Sequence, residues 1–179
     1  MTNVLVTGGA GFIGSHMVDL LIGQGFSVRV LDNMIAGKQA NLSQHKNNSK
    51  LIVDERDIRA VNEKDSIYKD IDYIYHFAGI GDIVPSIDSP EEYMSVNTQG
   101  TVKVCEGARI NSIKKLVYAA SSSCYGLATV PTDENAKISL LYPYALSKYL
   151  GECAVLHWNK VYNLPVNVIR IFNAYGTRS

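Results

Sequence analysis

Short apolar stretches rich in β-branched residues alternate along the chain with longer segments in which apolar positions recur every three or four residues. Residues 4–6, 28–31, 50–54, 71–77, 115–119 and 166–171 have the first character and predict six strands. Val4, Leu5 and Val6 show no polar alternation, as suits a parallel strand buried on both faces. Residues 12–24 have the second character, with Ile13, Met17, Leu20 and Leu21 forming a helical stripe that Gly25 ends. A long helix is predicted over 91–110, with Val96, Gly100, Val104 and Ala108 spaced along it. Pro143 opens another over 144–162, partly periodic through Leu146, Tyr149, Leu150, Cys153, Leu156 and His157. Weaker patterns predict short helices over 39–44 and 60–68, and residues 127–141 read as a loop. Strands separated by helices imply an α/β fold with a doubly wound parallel sheet.

The first strand runs into Gly8, Gly11 and Gly14 before the helical pattern begins. Gly8 can take a tight turn, Gly11 has no side chain to keep a pyrophosphate off the backbone, and Gly14 lets the helix lie close on the strand. The helix start at Phe12 and Ile13 offers unpaired N–H groups and a partial positive charge to phosphates. The second strand ends in Asp32, whose carboxylate can accept both hydroxyls of an adenosine ribose. Ala78 and Gly79, small residues after Phe77, let a dinucleotide pass close to the end of the fourth strand. The expected fold is therefore Rossmann-like, with the site at the carboxyl ends of the strands. On the residues alone, Asp57-Ile58-Arg59 reads equally as an exposed turn with a helix cap, and Ser121-Ser122-Ser123 equally as a polar turn without chemistry. His76, inside a strand, reads as a hydrogen-bonded core residue rather than a base.

Tyr144 and Lys148 stand four apart on one predicted helix and so share a face. With this pair, the opening T-G-G-A-G-F-I-G-S-H, the L-D-N at 31–33, the V-N-x-x-G-T at 96–101 and the F-N-x-Y-G-x-R at 172–178, the chain resembles the extended short-chain dehydrogenase/reductase family, and within it the nucleotide-sugar epimerases. The resemblance runs from Val4 to Arg178. It implies NAD as cofactor, bound by Gly8, Gly11, Phe12, Ile13, Gly14, Asp32 and Asn33 at the adenosine and pyrophosphate end. It assigns Asp57 and Ile58 to the adenine, and Phe77, Ala78, Gly79, Asn97, Tyr144, Lys148 and Phe172 to the rest of the dinucleotide. It makes Ser121, Tyr144 and Lys148 catalytic. A free tyrosine titrates near 10, and a neighbouring ammonium and an oxidised nicotinamide both favour the phenolate. Tyr144 would then take a sugar hydroxyl proton as hydride leaves the same carbon for the cofactor, with Ser121 hydrogen-bonded to that hydroxyl.

The same resemblance implies a nucleotide-sugar substrate lined by Val84, Ser122, Ser123 and Asn173. Dehydratases of the family carry an Asp-Glu pair where this chain has Ser122 and Ser123, so oxidation and re-reduction at one carbon is favoured over loss of water. Cys124 reads as a packing residue. A dehydratase or reductase of the same family, or a non-catalytic NAD-binding module, is the alternative.

Composition removes other classes. The 179 residues hold 17 basic and 17 acidic side chains, which leaves no electrostatic footprint for nucleic acid or an anionic membrane. Cys105, Cys124 and Cys153 lie far apart with no C-x-x-C spacing, so neither a disulfide framework nor a metal site is expected. The sparse cysteines fit a reducing cytoplasm, and a homodimer is the expectation by resemblance. Family members continue past the F-N-x-Y-G-x-R segment into a smaller domain that grips the nucleotide sugar. Residues 1–179 are expected to be the NAD-binding domain alone.

Overall fold

The computed structural model describes residues 2–179. Its strands are β1 (Asn3–Thr7), β2 (Ser27–Leu31), β3 (Leu51–Asp54), β4 (Tyr73–His76), β5 (Lys115–Ser121) and β6 (Val166–Ile171). They form one sheet in the order β3-β2-β1-β4-β5-β6, and every neighbouring pair is parallel. The chain winds outward from β1 through β2 to β3, then returns to the other side of β1 with β4. That reversal leaves a crevice at the carboxyl ends of β1 and β4, where open α/β sheets bind ligands.

The registers Val6↔Val30 and Val6↔Tyr75 put these side chains on one face. There the helix α1 (Phe12–Gly23) contributes Val18, Leu21 and Ile22 to a core with Val4, Val6, Val28 and Val30. On the opposite face Leu5, Ile74, Leu116 and Tyr118 pack with Val104, Cys105, Ala108 and Val155. The last four come from α4 (Thr101–Ile110) and α5 (Pro143–Tyr162), and two short helices, α2 (Val84–Asp88) and α3 (Pro90–Tyr93), precede α4.

Four expectations change. The inward stripe of α1 is Gly14, Ser15, Val18, Leu21 and Ile22, while Leu20 faces solvent. Gly14 sets this phase, because a Cβ there would lie 2.1 Å from the Gly8 carbonyl oxygen; once Gly14 faces the turn, positions 18, 21 and 22 follow. No helix spans 60–68. Asp57 and Asp65 instead cap two separate single turns, Ile58–Ala60 and Ser66–Tyr68. Within the long helix of 90–110, Met94–Gly100 is wound as a π-helix, a wider turn that the spacing of apolar residues does not predict. Strand β5 also runs two residues further than expected, ending on Ser121.

Candidate active site

Gly8 has φ +69°, and a Cβ on it would press to 2.6 Å from the Ala78 nitrogen. The turn after β1 therefore needs glycine both for its conformation and for its closeness to the end of β4. Gly11 caps α1 without a side chain, so the first-turn amides of this 12-residue helix keep no intrachain cap. Beside them opens a cavity of about 830 Å³, in the range of small-molecule and cofactor sites. It runs from Gly8, Gly11, Phe12, Ile13 and Gly14, past Phe77 and Gly79, to Ser121, Tyr144 and Lys148. Ser122, Ser123, Phe172 and Asn173 line its far end. The strands and helices thus bring together residues separated by up to 165 positions.

At that end the groups interlock. Ser121 closes β5, accepts the Ser123 N–H, and its Oγ lies 2.7 Å from the Ser123 hydroxyl. The Tyr144 hydroxyl donates to Ser121 Oγ across 3.4 Å, a long bond. One turn along α5, the Lys148 ammonium lies 4.7 Å from the centre of the Tyr118 ring, and Tyr118 in turn donates to the Lys148 carbonyl. Burial pushes the Lys148 pKa down to about 8. Among the described residues no carboxylate forms an ion pair with it. A buried cation of this kind is suited to ribose hydroxyls, which accept hydrogen bonds without cancelling the charge that Tyr144 would feel.

Asp32 is buried; its oxygens accept the Ala10 and Met34 amides at 2.9 Å each, which fixes the carboxylate at the end of β2. It does not line the cavity, and Gly37 packs so closely on it that a Cβ there would lie 2.7 Å from Asp32 Oδ1. Asn33 donates to Asp57, whose carboxylate also takes the Arg59 guanidinium and amide, and these bonds lower the Asp57 pKa to about 2. Ile58 is core, packed where Gly100 leaves no Cβ. Ala78 and Val84 lie near the cavity without lining it, and its neighbour Ile83 takes the place expected of Val84.

Asn97 is buried and does not reach the cavity. Its carboxamide accepts the Ile80 N–H at 2.7 Å and donates to the Ile80 carbonyl and the Ser147 hydroxyl, both at 3.0 Å. It therefore ties the strand-end turn at Gly79 and Ile80 to the helix that carries Tyr144 and Lys148. Just below runs a second buried chain. Thr101 Oγ1 donates to the Asn97 carbonyl at 2.6 Å and so accepts from His76 Nε2; His76 Nδ1 accepts from Thr7, and Thr7 accepts the Ala78 amide. His76 is a neutral structural link, its pKa driven down to about 3 by burial. Cys124 is likewise buried and its thiol pKa raised by that burial, as a packing residue requires.

Sequence reading missed Lys38, Asn41 and Arg178 as wall residues. It also missed Glu152 on the inner face of α5, whose carboxylate takes the Arg170 guanidinium. Glu152 falls four residues after Lys148, a spacing that could have marked it as sharing the Tyr144 and Lys148 face. Among the described residues no group of His, Cys, Asp and Glu could hold a metal ion, and no helix is long and apolar enough to cross a membrane.

Residues 4–179 match the family described as the NAD dependent epimerase/dehydratase family. UDP-glucose 4-epimerase of Mycolicibacterium smegmatis is 34% identical over 177 residues, an alignment that covers 97% of this chain and 56% of that one. UDP-N-acetylglucosamine 4-epimerase from Methanobrevibacter ruminantium superposes with a TM-score of 0.94 at 34% identity, covering 99% of this chain and 56% of the other. UDP-glucuronic acid 4-epimerase from Bacillus cereus, solved with UDP-glucuronic acid and NAD, gives 0.93 at 28% identity, over 99% and 58%. The chain spans just over half the length of these proteins. With its 3-2-1-4-5-6 parallel sheet and a match that extends from the first strand to its last residue, the chain belongs to the NAD-dependent epimerase/dehydratase family.

Proposed function

We propose that this chain is the NAD-binding part of a nucleotide-sugar epimerase that oxidises one carbinol carbon and re-reduces it from the opposite face. The observation that carries this reading is the row of Ser121, Tyr144 and Lys148 along one wall of a cavity whose other end is the bare amino terminus of α1. A bound NAD would supply the hydride acceptor and return the hydride. Around it the chain's own groups have distinct tasks. The α1 amides meet the pyrophosphate, and Asp32, already immobilised by two backbone amides, accepts from the adenosine ribose. That carboxylate also disfavours NADP, because a 2'-phosphate would set like charges side by side.

Lys148 donates to the nicotinamide ribose. Tyr144 removes the proton from the sugar hydroxyl and gives it back after the sugar has turned over in the site, while Ser121 keeps the reacting oxygen in line. Ser122 and Ser123 put no carboxylic acid beside that carbon, which favours epimerisation over loss of water. A homodimer is supported by the outward stripe of α5, where Leu146, Leu150 and Leu156 are all more than a third exposed. The test is Tyr144→Phe in a form of the enzyme that turns over nucleotide sugars. Turnover should fall by about a hundredfold or more with NAD binding retained. Near-normal turnover in that variant would refute the assignment.

A further inference from the structure

The segment after β6 does not leave the molecule at once but lies across the first two turns of α1. The Thr177 carbonyl is 3.0 Å from His16 Nε2, and Gly176 sits on the ring of Phe12, which itself meets the His16 ring edge-on. Arg178 completes this strap. Its backbone is left-handed, with φ +70°, a conformation an arginine adopts only when its surroundings hold it. The hold is Asp19 on α1, whose Oδ2 is 2.8 Å from Arg178 Nη1, while Asp19 Oδ1 faces His45 at 2.9 Å. The pairing leaves the guanidinium underused. Nη1 is buried without a well-directed hydrogen bond, and among the described residues Asp19 is the ion-pair partner of the guanidinium. Arg178 lines the cavity beside Gly11, Phe12, Lys38 and Asn41, at the end where α1 presents its free amides.

We infer that Arg178 is a phosphate-binding residue of the dinucleotide site, closing the pyrophosphate between its guanidinium fork and the amino terminus of α1. This rests on the reading of the cavity as an NAD site. A guanidinium is suited to the task because it presents several donors in one plane to phosphate oxygens. Asp19 aims the fork and the strap brings it over the helix start. Lys38, exposed, adds a second positive charge to the cavity lining. The strap also joins two lining positions of the cavity, Asn173 and Arg178, which are five residues apart in the chain.

The inference is tested by titrating wild type, Arg178→Ala and Arg178→Lys with ADP-ribose, NAD and adenosine at low and high salt. Arg178→Ala should weaken NAD and ADP-ribose by about tenfold or more, leave adenosine within about twofold, and flatten the salt dependence of NAD binding. Arg178→Lys should fall between, keeping the charge without the fork. If Arg178→Ala weakens adenosine as much as NAD, the residue only braces the strap and the inference fails. If wild type binds NAD and Arg178→Ala binds it equally well, the inference fails while the cofactor assignment stands. If wild type does not bind NAD at all, both fall.

Discussion

His76 is wholly buried, and each of its ring nitrogens has a threonine hydroxyl as partner, Thr7 on β1 and Thr101 at the start of α4. Burial lowers its pKa to about 3 in the folded chain, against the ordinary 6.5 once unfolded. Above 6.5 both states are neutral at this site and its contribution to stability is complete. As pH falls from 6.5 toward 3 the unfolded chain takes up a proton that the folded chain refuses, so stability declines, by up to about 1.4 kcal/mol per pH unit. Urea midpoints measured between about pH 6.5 and 4.5, above the range of ordinary carboxylates, should drop in the wild type and stay nearly level in His76→Gln. Parallel curves would show that His76 is not the titrating group. At this scale much was legible. The tight turn at Gly8 and the close approach at Gly14 are read directly from residue type and spacing, as is the placement of Tyr144 and Lys148 on one helix, because few residues substitute for glycine in such geometry and helical spacing is fixed. What Asn97 and Arg178 touch was not legible, since their partners lie 17 and 159 positions away.

The helix α5 is where periodicity misleads. Leu146, Leu150 and Leu156 suggest an inward apolar stripe, yet the buried positions are Ala145, Ser147, Lys148, Gly151, Glu152 and Val155. The inner face can be polar because each group finds a partner on another element: Ser147 on the π-helical segment, Glu152 on β6. Gly151 lets α5 approach, since a Cβ there would lie 2.4 Å from the Tyr118 hydroxyl. The Glu152 carboxylate meets Arg170 at 2.5 Å, and Arg170 also donates to Tyr125 in the turn after Ser121. This pair joins the helix of Tyr144 to the strand that leads to Asn173. Glu152→Ala leaves the half-buried guanidinium of Arg170 without its counter-charge and should destabilise the fold by about 3 kcal/mol or more. Denaturant unfolding measures it; a loss under about 1 kcal/mol would mean the pair contributes only as a surface bridge does.

For the whole molecule, Gly8, Gly11, Phe12, Ile13, Gly14, Phe77, Gly79, Tyr144, Lys148 and Phe172 line one cavity, while Asp32, Ile58 and Asn97 stand off its wall. The residues left to line a pocket for the proposed sugar are chiefly Ser122, Ser123, Asn173 and part of the loop from Gly126 to Thr132. Residues 1–179 should therefore bind NAD yet turn over little nucleotide sugar, because binding the remote nucleotide contributes to the chemical step as well as to affinity. Calorimetry with NAD and an epimerisation assay with several UDP-sugars on this chain check both halves; robust turnover would show that no further polypeptide is needed. One face of the sheet keeps large side chains exposed. Tyr73 and Ile169, on the α1 side of β4 and β6, are 37% and 51% exposed, although parallel strands ordinarily have both faces covered. The sequence by itself determined the α/β class, all six strands, the glycine turn and the Tyr-Lys helix, because these depend on local periodicity and on residues with few chemical equivalents. Only the tertiary structure decided the inward face of α5, the π-helical turn, the buried His76 and Asn97 chains and the Arg178 strap. Each of those is set by a partner far away in sequence, a Cβ-free contact or a buried hydrogen bond, and no local pattern encodes where such a partner will lie.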